Sequence, residues 1–308
     1  MKRSQILLMA VGLASLAACS AGHKTRMTQT ISANETEKTD SRYTGPKRRV
    51  GVVDFENKTA YGGRLGSAAS DILITELTKT GKFIVVERDK IDKLMAEQKL
   101  GMSGAIDPST AAKMGKILGL NAIVTGSISQ FGVATTGSDY LLVQTKKQVA
   151  DATVDIRVVD TETGQVLYAD SGEGKSTSSN GQVLGMGTRG GYNETIEGEA
   201  LRAAISQLTE NITSQINKKQ WSCRVADVQN GQVYLDAGQE SGLKLGQKLT
   251  AYHLGRQITS PTTGLVIGFT QDKVGDIQVT DFFGDNGAIA QVTSGPSPSP
   301  GDLAKLPN

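Results

Sequence analysis

The chain has 308 residues, 33 Lys and Arg against 31 Asp and Glu, a formal net charge of +2, and only 5% aromatic residues. So balanced a charge argues against electrostatic binding to nucleic acid, and two His and two Cys in the whole chain leave no ligand set for zinc. The length suits one or two domains, with aliphatic cores and many turns around the 36 glycines.

Residues 1–18 read as a signal peptide. Lys2 and Arg3 precede an apolar stretch from Ile6 to Ala18, which is shorter than the roughly 20 residues a membrane span needs. The run Leu16-Ala17-Ala18-Cys19 resembles a bacterial lipobox, with Leu16, Ala17, Ala18 and Ser20 as the cleavage and targeting residues. Cutting before Cys19 leaves a thiol for diacylglycerol and an amine for a further acyl chain such as palmitate. Several acyl chains anchor stably where one does not. Ser20, rather than Asp, after the cysteine resembles an outer-membrane address. The expected location is therefore the outer membrane, lipid-anchored and mainly periplasmic, and the only attached group expected is the covalent lipid on Cys19.

Residues 19–46 are polar and aperiodic and read as a flexible tether. Lys47-Arg48-Arg49 reads as its solvated end. A first domain is expected over 47–220. Val50 to Phe55 suits a buried strand, and Leu65, Ala68, Ala69, Ile72, Leu73 and Leu77 recur at helical spacing before Gly81. Phe83 to Val86 is a second strand. Ile91, Leu94, Met95 and Gln98 mark a second helix. Asp107-Pro108 opens a third, with Ala111, Ala112, Met114, Ile117 and Leu118 toward the core. Ala122 to Ile128 is a strand, 152–159 and 165–169 form a hairpin across Thr161 to Gly164, and Leu201 through Ile216 make a long closing helix.

A small β-domain is expected over 221–294. Strands centred on Val233, Leu249, Val266, Ile277 and Ile289 are separated by turns, with Gly238, Gly242 and Gly246 as candidate positive-φ positions. Residues 295–308 hold four of the seven prolines and read as a disordered tail. Cys223 reads as a small buried apolar residue; with Cys19 acylated, no internal disulfide is left to form.

No phosphate loop, nucleophile elbow or metal spacing is present. Asp54, Glu56 and Glu87 read as caps and surface charges at strand ends rather than as an acid–base pair. The chain is expected not to be an enzyme.

Val85-Val86-Glu87-Arg88, Leu94 with Glu97-Gln98, Leu118 through Ile128, and Val154 through Asp160 with Thr163-Gly164 together resemble the CsgG/HfaB family of bacterial outer-membrane lipoproteins. Parts of the pattern also resemble LpoB-like periplasmic lipoproteins. The resemblance implies an α+β fold: an α/β periplasmic domain with two β-hairpin insertions, followed here by the small all-β, barrel-like domain. In the family's founding curli channel, subunits form a ring, each hairpin pair enters a transmembrane barrel, and a loop after the first strand narrows the pore. Barrels suit lipid because closure satisfies every backbone group.

The resemblance places the hairpins at 129–149 and 172–198, where apolar alternation is weak for lipid-facing strands. The loop between Phe55 and Leu65 is short, and Tyr61 is its only aromatic. Tyr61, Phe131, Leu184 and Met186 are the candidate pore or partner contacts. Val233 through Gly238 and Glu240 through Gln247 resemble the last β-domain of FlgT-like flagellar-ring proteins, which implies a periplasmic contact module. The function implied is oligomerisation in support of secretion or assembly of a curli-like surface polymer. The partners implied are the outer membrane, further copies of the chain, and a secreted fibre subunit or envelope proteins. A non-pore scaffold or regulator touching envelope machinery is the other reading.

Overall fold

The computed structural model describes residues 45–307, apart from 63, 87–90, 92, 94–109, 111–114, 116, 141–142, 184–185, 188–194 and 265. The fold is α+β. One sheet contains β1 (Arg48–Val52), β2 (Glu56–Asn57), β3 (Phe83–Val86), β4 (Ala122–Tyr140), β5 (Val143–Asp160), β6 (Val166–Val183) and β7 (Met186–Gly187). Its order is β3-β1-β4-β5-β6-β7, with β2 beside β4. β1 runs parallel to both neighbours, and β4 through β7 are antiparallel.

Helices α1 (Leu65–Lys79) and α2 (Thr195–Lys218) cover one face of this sheet. Leu73 and Leu77 of α1, and Leu201, Ile205 and Leu208 of α2, are buried against Val50, Val124, Val154, Ile156 and Val158. Burial of each such side chain contributes roughly 1.5–3 kcal/mol. A smaller cluster of Val53, Ile91, Leu120, Ile123 and Val159 lies apart from this core, with Leu118 against it. Ile117, expected to face inward, is 55% exposed. It neighbours Leu118 on the same helical turn, and only Leu118 reaches the apolar cluster.

The expected hairpin across Thr161 to Gly164 is present. Gly164 has φ 74°, which a side chain would disfavour. The strands are far longer than the expected 152–159 and 165–169. β4 and β5 pair from Ala122↔Asp160 to Tyr140↔Val143, and β6 follows β5 out to Val143↔Val183. The described residues of 129–149 and the first part of 172–198 are thus continuous with the sheet.

The second unit comprises β8 (Ser222–Gln229), β9 (Gln232–Leu235), β10 (Lys248–Thr259), β11 (Val266–Phe283), β12 (Gly287–Ser294) and β13 (Leu303–Lys305). The strands close in the order β10-β11-β12-β9-β8-β13. Val225, Val233, Leu235, Leu249, Ile277 and Val279 fill the interior. Asn230 and Gly231, both at positive φ, form the two-residue turn between β8 and β9. Gly242 and Gly246 are at positive φ as expected. Gly238 instead permits close approach, because an added Cβ would lie 2.4 Å from the Gly287 carbonyl oxygen.

Three expectations need correction. The tail 295–308 is not disordered over its described part: Leu303–Lys305 pairs with β8 on one side and β10 on the other. Asp302 fixes its approach. Its carboxylate accepts from Ser299 N at 2.8 Å and contacts His253 Nδ1 at 2.7 Å. Pro296, Pro298 and Pro300 therefore lead into the strand that closes the ring, and Pro307 follows it. Val266 and Ile277, expected on separate strands, share β11, whose outer half pairs with β10 as a two-stranded arm.

Lys47-Arg48-Arg49 is also not a solvated end. Arg48 is only 1% exposed. Its guanidinium donates to the carbonyls of Lys219 and Gln220, just beyond the C-terminus of α2. Those carbonyls lack partners within the helix, and a cation there also suits the helix dipole.

Candidate functional site

Three strands make the most extended feature of the molecule. At about 3.3 Å per residue, an 18-residue strand runs roughly 60 Å. Past Ile128 the strands β4, β5 and β6 leave the shelter of β1 and β2 and continue as a ribbon.

Helix α2 lies on one face of this ribbon at unusually short range. Cβ atoms added at Gly172 and Gly174 would fall 2.3 and 1.9 Å from the carbonyl oxygens of Ala204 and Ala200. Small residues on both partners allow that approach. The buried face then continues in polar residues: Gln148, Ser176 and Ser178 are each almost fully covered, and Ser176 Oγ donates to Glu199 at 2.6 Å. The opposite face is exposed and charged. Lys175 pairs with Asp151 at 3.0 Å, and Lys147 and Glu173 are exposed beside them.

The base of the ribbon holds two of the sequence-derived candidates. Tyr61 meets Phe131 edge to face, with ring centroids 4.7 Å apart. Its hydroxyl donates to Glu197 Oε1 at 2.5 Å, at the start of α2. Asn57 shapes the loop: Nδ2 donates to the Tyr61 carbonyl at 3.0 Å, and Oδ1 accepts from Thr59 N. Tyr61 and Phe131 thus pack against the main core and tie the loop to the ribbon and the helix. Met186 lies in β7, where its backbone pairs with Val183. Leu184, and the targeting residues Leu16, Ala17, Ala18, Cys19 and Ser20, lie outside the described residues.

Farther back on β6, Tyr168 donates to Asp170, which also accepts from Ser171 N and Asn211. Burial and the neighbouring Asp170 push the Tyr168 hydroxyl up to about 12. The Tyr168 hydrogen bond holds the Asp170 carboxyl below its ordinary range.

Sequence reasoning missed the polar seam between the two units. Trp221 Nε1 donates to the Lys47 carbonyl at 3.1 Å, and Lys47 N to the Ser241 carbonyl at 2.6 Å. Asn121 accepts from Arg49 N and donates to the Ser222 carbonyl. Lys219 bridges Asp160 at 2.7 Å and Glu162 at 2.9 Å. Burial alone would lower the Lys219 ammonium, but Glu162 and Asp160 outweigh it and the net direction is upward. Burial raises the Asp236 carboxyl, against partial relief from Arg224 N and the Arg49 charge. The cleft left at this seam has a volume of about 30 Å³. One clue was available: the single Trp stands where the two patterns meet.

Among the described residues, no group of three or more His, Cys, Asp or Glu side chains is placed to share a metal ion. Among them too, no helix is long and apolar enough to cross a membrane, which leaves strand-built spans open.

Residues 30–246 match the family described as curli production assembly/transport component CsgG. This chain belongs to the CsgG family. It is 28% identical to NMB1126/NMB1164 of Neisseria meningitidis serogroup B, a protein whose name designates it a lipoprotein, over 69% of this chain and 96% of that one. Among solved structures it is similar to lipoprotein GNA1162 from Neisseria meningitidis, at 16% identity and TM-score 0.33, covering 56% of this chain and 99% of that one. It is also similar to the LpoB C-terminal domain from Salmonella enterica, at 14% identity and TM-score 0.32, covering 45% of this chain and 90% of that one. Membership in the CsgG family rests on the sequence match.

Proposed function

We propose that this CsgG-family protein is a lipoprotein anchored in the outer membrane through acylated Cys19, with its folded part in the periplasm. It self-associates and supports export or assembly of a curli-like surface polymer as a non-enzymatic scaffold. The carrying observation is the polarity of the described ribbon. Its helix side carries Gln148, Ser176 and Ser178 beyond the apolar Phe131, Val133, Ala150 and Ala152, all covered by the core, while the uncovered side carries Lys147, Glu173 and the Asp151–Lys175 pair. A lipid-facing strand needs apolar residues at every second position, and a charge at the bilayer midplane costs about 2–4 kcal/mol. A ribbon of this composition is stable in water. Tyr61, held by Phe131 and Glu197, serves as a strut at the ribbon base and not as a constriction.

Family membership favours a second reading, a ring that also forms a pore. Electron microscopy and planar-bilayer recording on the acylated, detergent-extracted protein separate the two. Oligomers without a membrane-spanning barrel and without conductance are expected. Discrete channel currents would overturn the scaffold reading, and a strictly monomeric protein would overturn self-association.

A further inference from the structure

The seam between the two units concentrates positive charge that its own carboxylates do not balance. Five cationic side chains line the cleft there: Lys47, Arg48, Arg49, Lys219 and Arg224. Arg48 is committed to the carbonyls of Lys219 and Gln220, and Lys219 to Asp160 and Glu162. Lys47, Arg49 and Arg224 are left to face the one remaining carboxylate of the lining, Asp236.

Arg49 decides what such a cleft can take. Asn121 Oδ1 accepts from Arg49 N at 2.9 Å and fixes its backbone, and the side chain reaches toward Asp236 of the barrel. A Cβ built on Gly119 would meet Arg49 Nη1 at 3.3 Å and Asp236 Oδ2 at 3.2 Å. Gly119, at φ 64°, keeps the space between them clear. Asp236 Oδ1 is taken by Arg224 N at 2.8 Å. Arg49 Nε is buried, and among the described residues its N–H has no acceptor. Buried donors of native proteins are paired, and a charged donor left without an acceptor costs more than a neutral one.

We propose that this cleft binds a phosphate group, with Arg49 as its principal ligand and Lys47 as the second. A guanidinium presents parallel N–H groups that match two oxygens of a phosphate. Lys47 stands two residues earlier on the same cleft. A phosphate dianion balances both cations, where chloride balances only one. The space of about 30 Å³ suits a compact group and not a sugar chain or a nucleoside. Asp236 opposes the anion. Burial raises its carboxyl, so it gives up its charge to an arriving anion more readily than an exposed aspartate does. The site lies away from the ribbon and does not rest on the scaffold reading. Free phosphate and the headgroup of a phosphomonoester lipid present the same chemistry to it.

The test uses the full mature chain reconstituted in phosphatidylcholine vesicles. Trp221 lines the cleft and is the sole indole, so its emission reads occupancy. Inorganic phosphate is titrated against chloride at equal ionic strength. A saturable change specific to phosphate is expected, with Kd in the ~0.1–10 mM range. Arg49→Gln should weaken binding about ten- to hundredfold, and Lys47→Gln about two- to fivefold. Asp236→Asn should tighten it about two- to tenfold; weakening in this variant would mean that Asp236 only holds Arg49 in place, and would overturn the site. Circular dichroism reports that each variant is folded. In a second arm, phosphatidic acid replaces part of the phosphatidylcholine and no inorganic phosphate is added. A Trp221 change there that Arg49→Gln abolishes, without a response to the free ion, assigns the phosphate to a lipid headgroup. No phosphate-specific response from either source, or equal responses from wild type and Arg49→Gln, overturns the proposal.

Discussion

Replacing Gly174 by Ala tests how helix α2 is held on the ribbon. The added methyl would sit 1.9 Å from the Ala200 carbonyl oxygen and 2.5 Å from Ala204 N, where ordinary contact begins at 3.4 Å. Both obstacles are helix backbone, so no side chain can swing away. The helix must retreat by about 1.5 Å at this point. A gap of even 0.5–1 Å forfeits a quarter to a half of the dispersion energy of the contacts it opens. Leu201, Ile205 and Leu208, all buried on the same helix, share that loss. Overpacking costs about 1–3 kcal/mol, and backbone obstacles place this site near the top. Taking roughly 2–4 °C per kcal/mol at this chain size, Tm should fall by about 6–12 °C. Gly132→Ala supplies the control, because a Cβ there meets nothing within 4 Å; it should be neutral or stabilise by up to ~1 kcal/mol. Differential scanning calorimetry of both variants decides the matter. If Gly174→Ala melts within a degree of Gly132→Ala, the close approach of α2 to β6 is refuted.

Arg48→Met removes the guanidinium that donates to the carbonyls of Lys219 and Gln220 and should cost about 2–4 kcal/mol in urea titration; an unchanged midpoint would contradict the capping role. Asp236 has a folded pKa above its unfolded one, so its contribution is full below the unfolded value and is lost as pH rises through the folded value. Asp236→Asn should therefore gain stability relative to wild type between about pH 3 and neutrality, and a gain that grows on acidification would reverse the assigned direction. Cys223, buried and with its thiol raised well above the usual range by burial and then by Asp236, should resist alkylation in native protein and react on unfolding. Tyr61→Phe keeps the ring on Phe131 and removes the hydrogen bond to Glu197, for an expected loss of about 1–3 kcal/mol; a loss as large as that of Tyr61→Ala would mean that the hydroxyl carries the whole anchor.

Helices α1 and α2 were legible because one face of each repeats apolar residues at 3 and 4 residue spacing, from Leu65 to Leu77 and from Leu201 to Ile216. The turn at Thr161 to Gly164 was legible from its small and polar residues. What escaped were features set by partners distant in the chain. Arg48 resembles any member of a basic run until the end of α2, some 170 residues later, presents carbonyls to it. Leu303–Lys305 is too short to show an alternation of its own, and its pairing depends on β8 and β10. Only β10 flanks the outer half of β11, which has no buried residue, and its polar run from Thr270 to Lys273 looks like a loop. At the candidate site, Tyr61 was noticed as the one aromatic of its loop. Its inward orientation depends on Asn57 and Glu197, which no local pattern announces.

The position of Trp221 gives the molecule an internal optical reporter. It is the sole indole in the chain, it is 3% exposed, and its ring nitrogen is bonded across the seam to Lys47. Its emission therefore monitors the joint between the two units in addition to the folding of the barrel. Separation of the units with both still folded would shift the fluorescence to the red while leaving the far-ultraviolet spectrum in place. Docking of a second copy, or of any ligand that pries at the joint, can be followed in the unlabelled protein by this one residue.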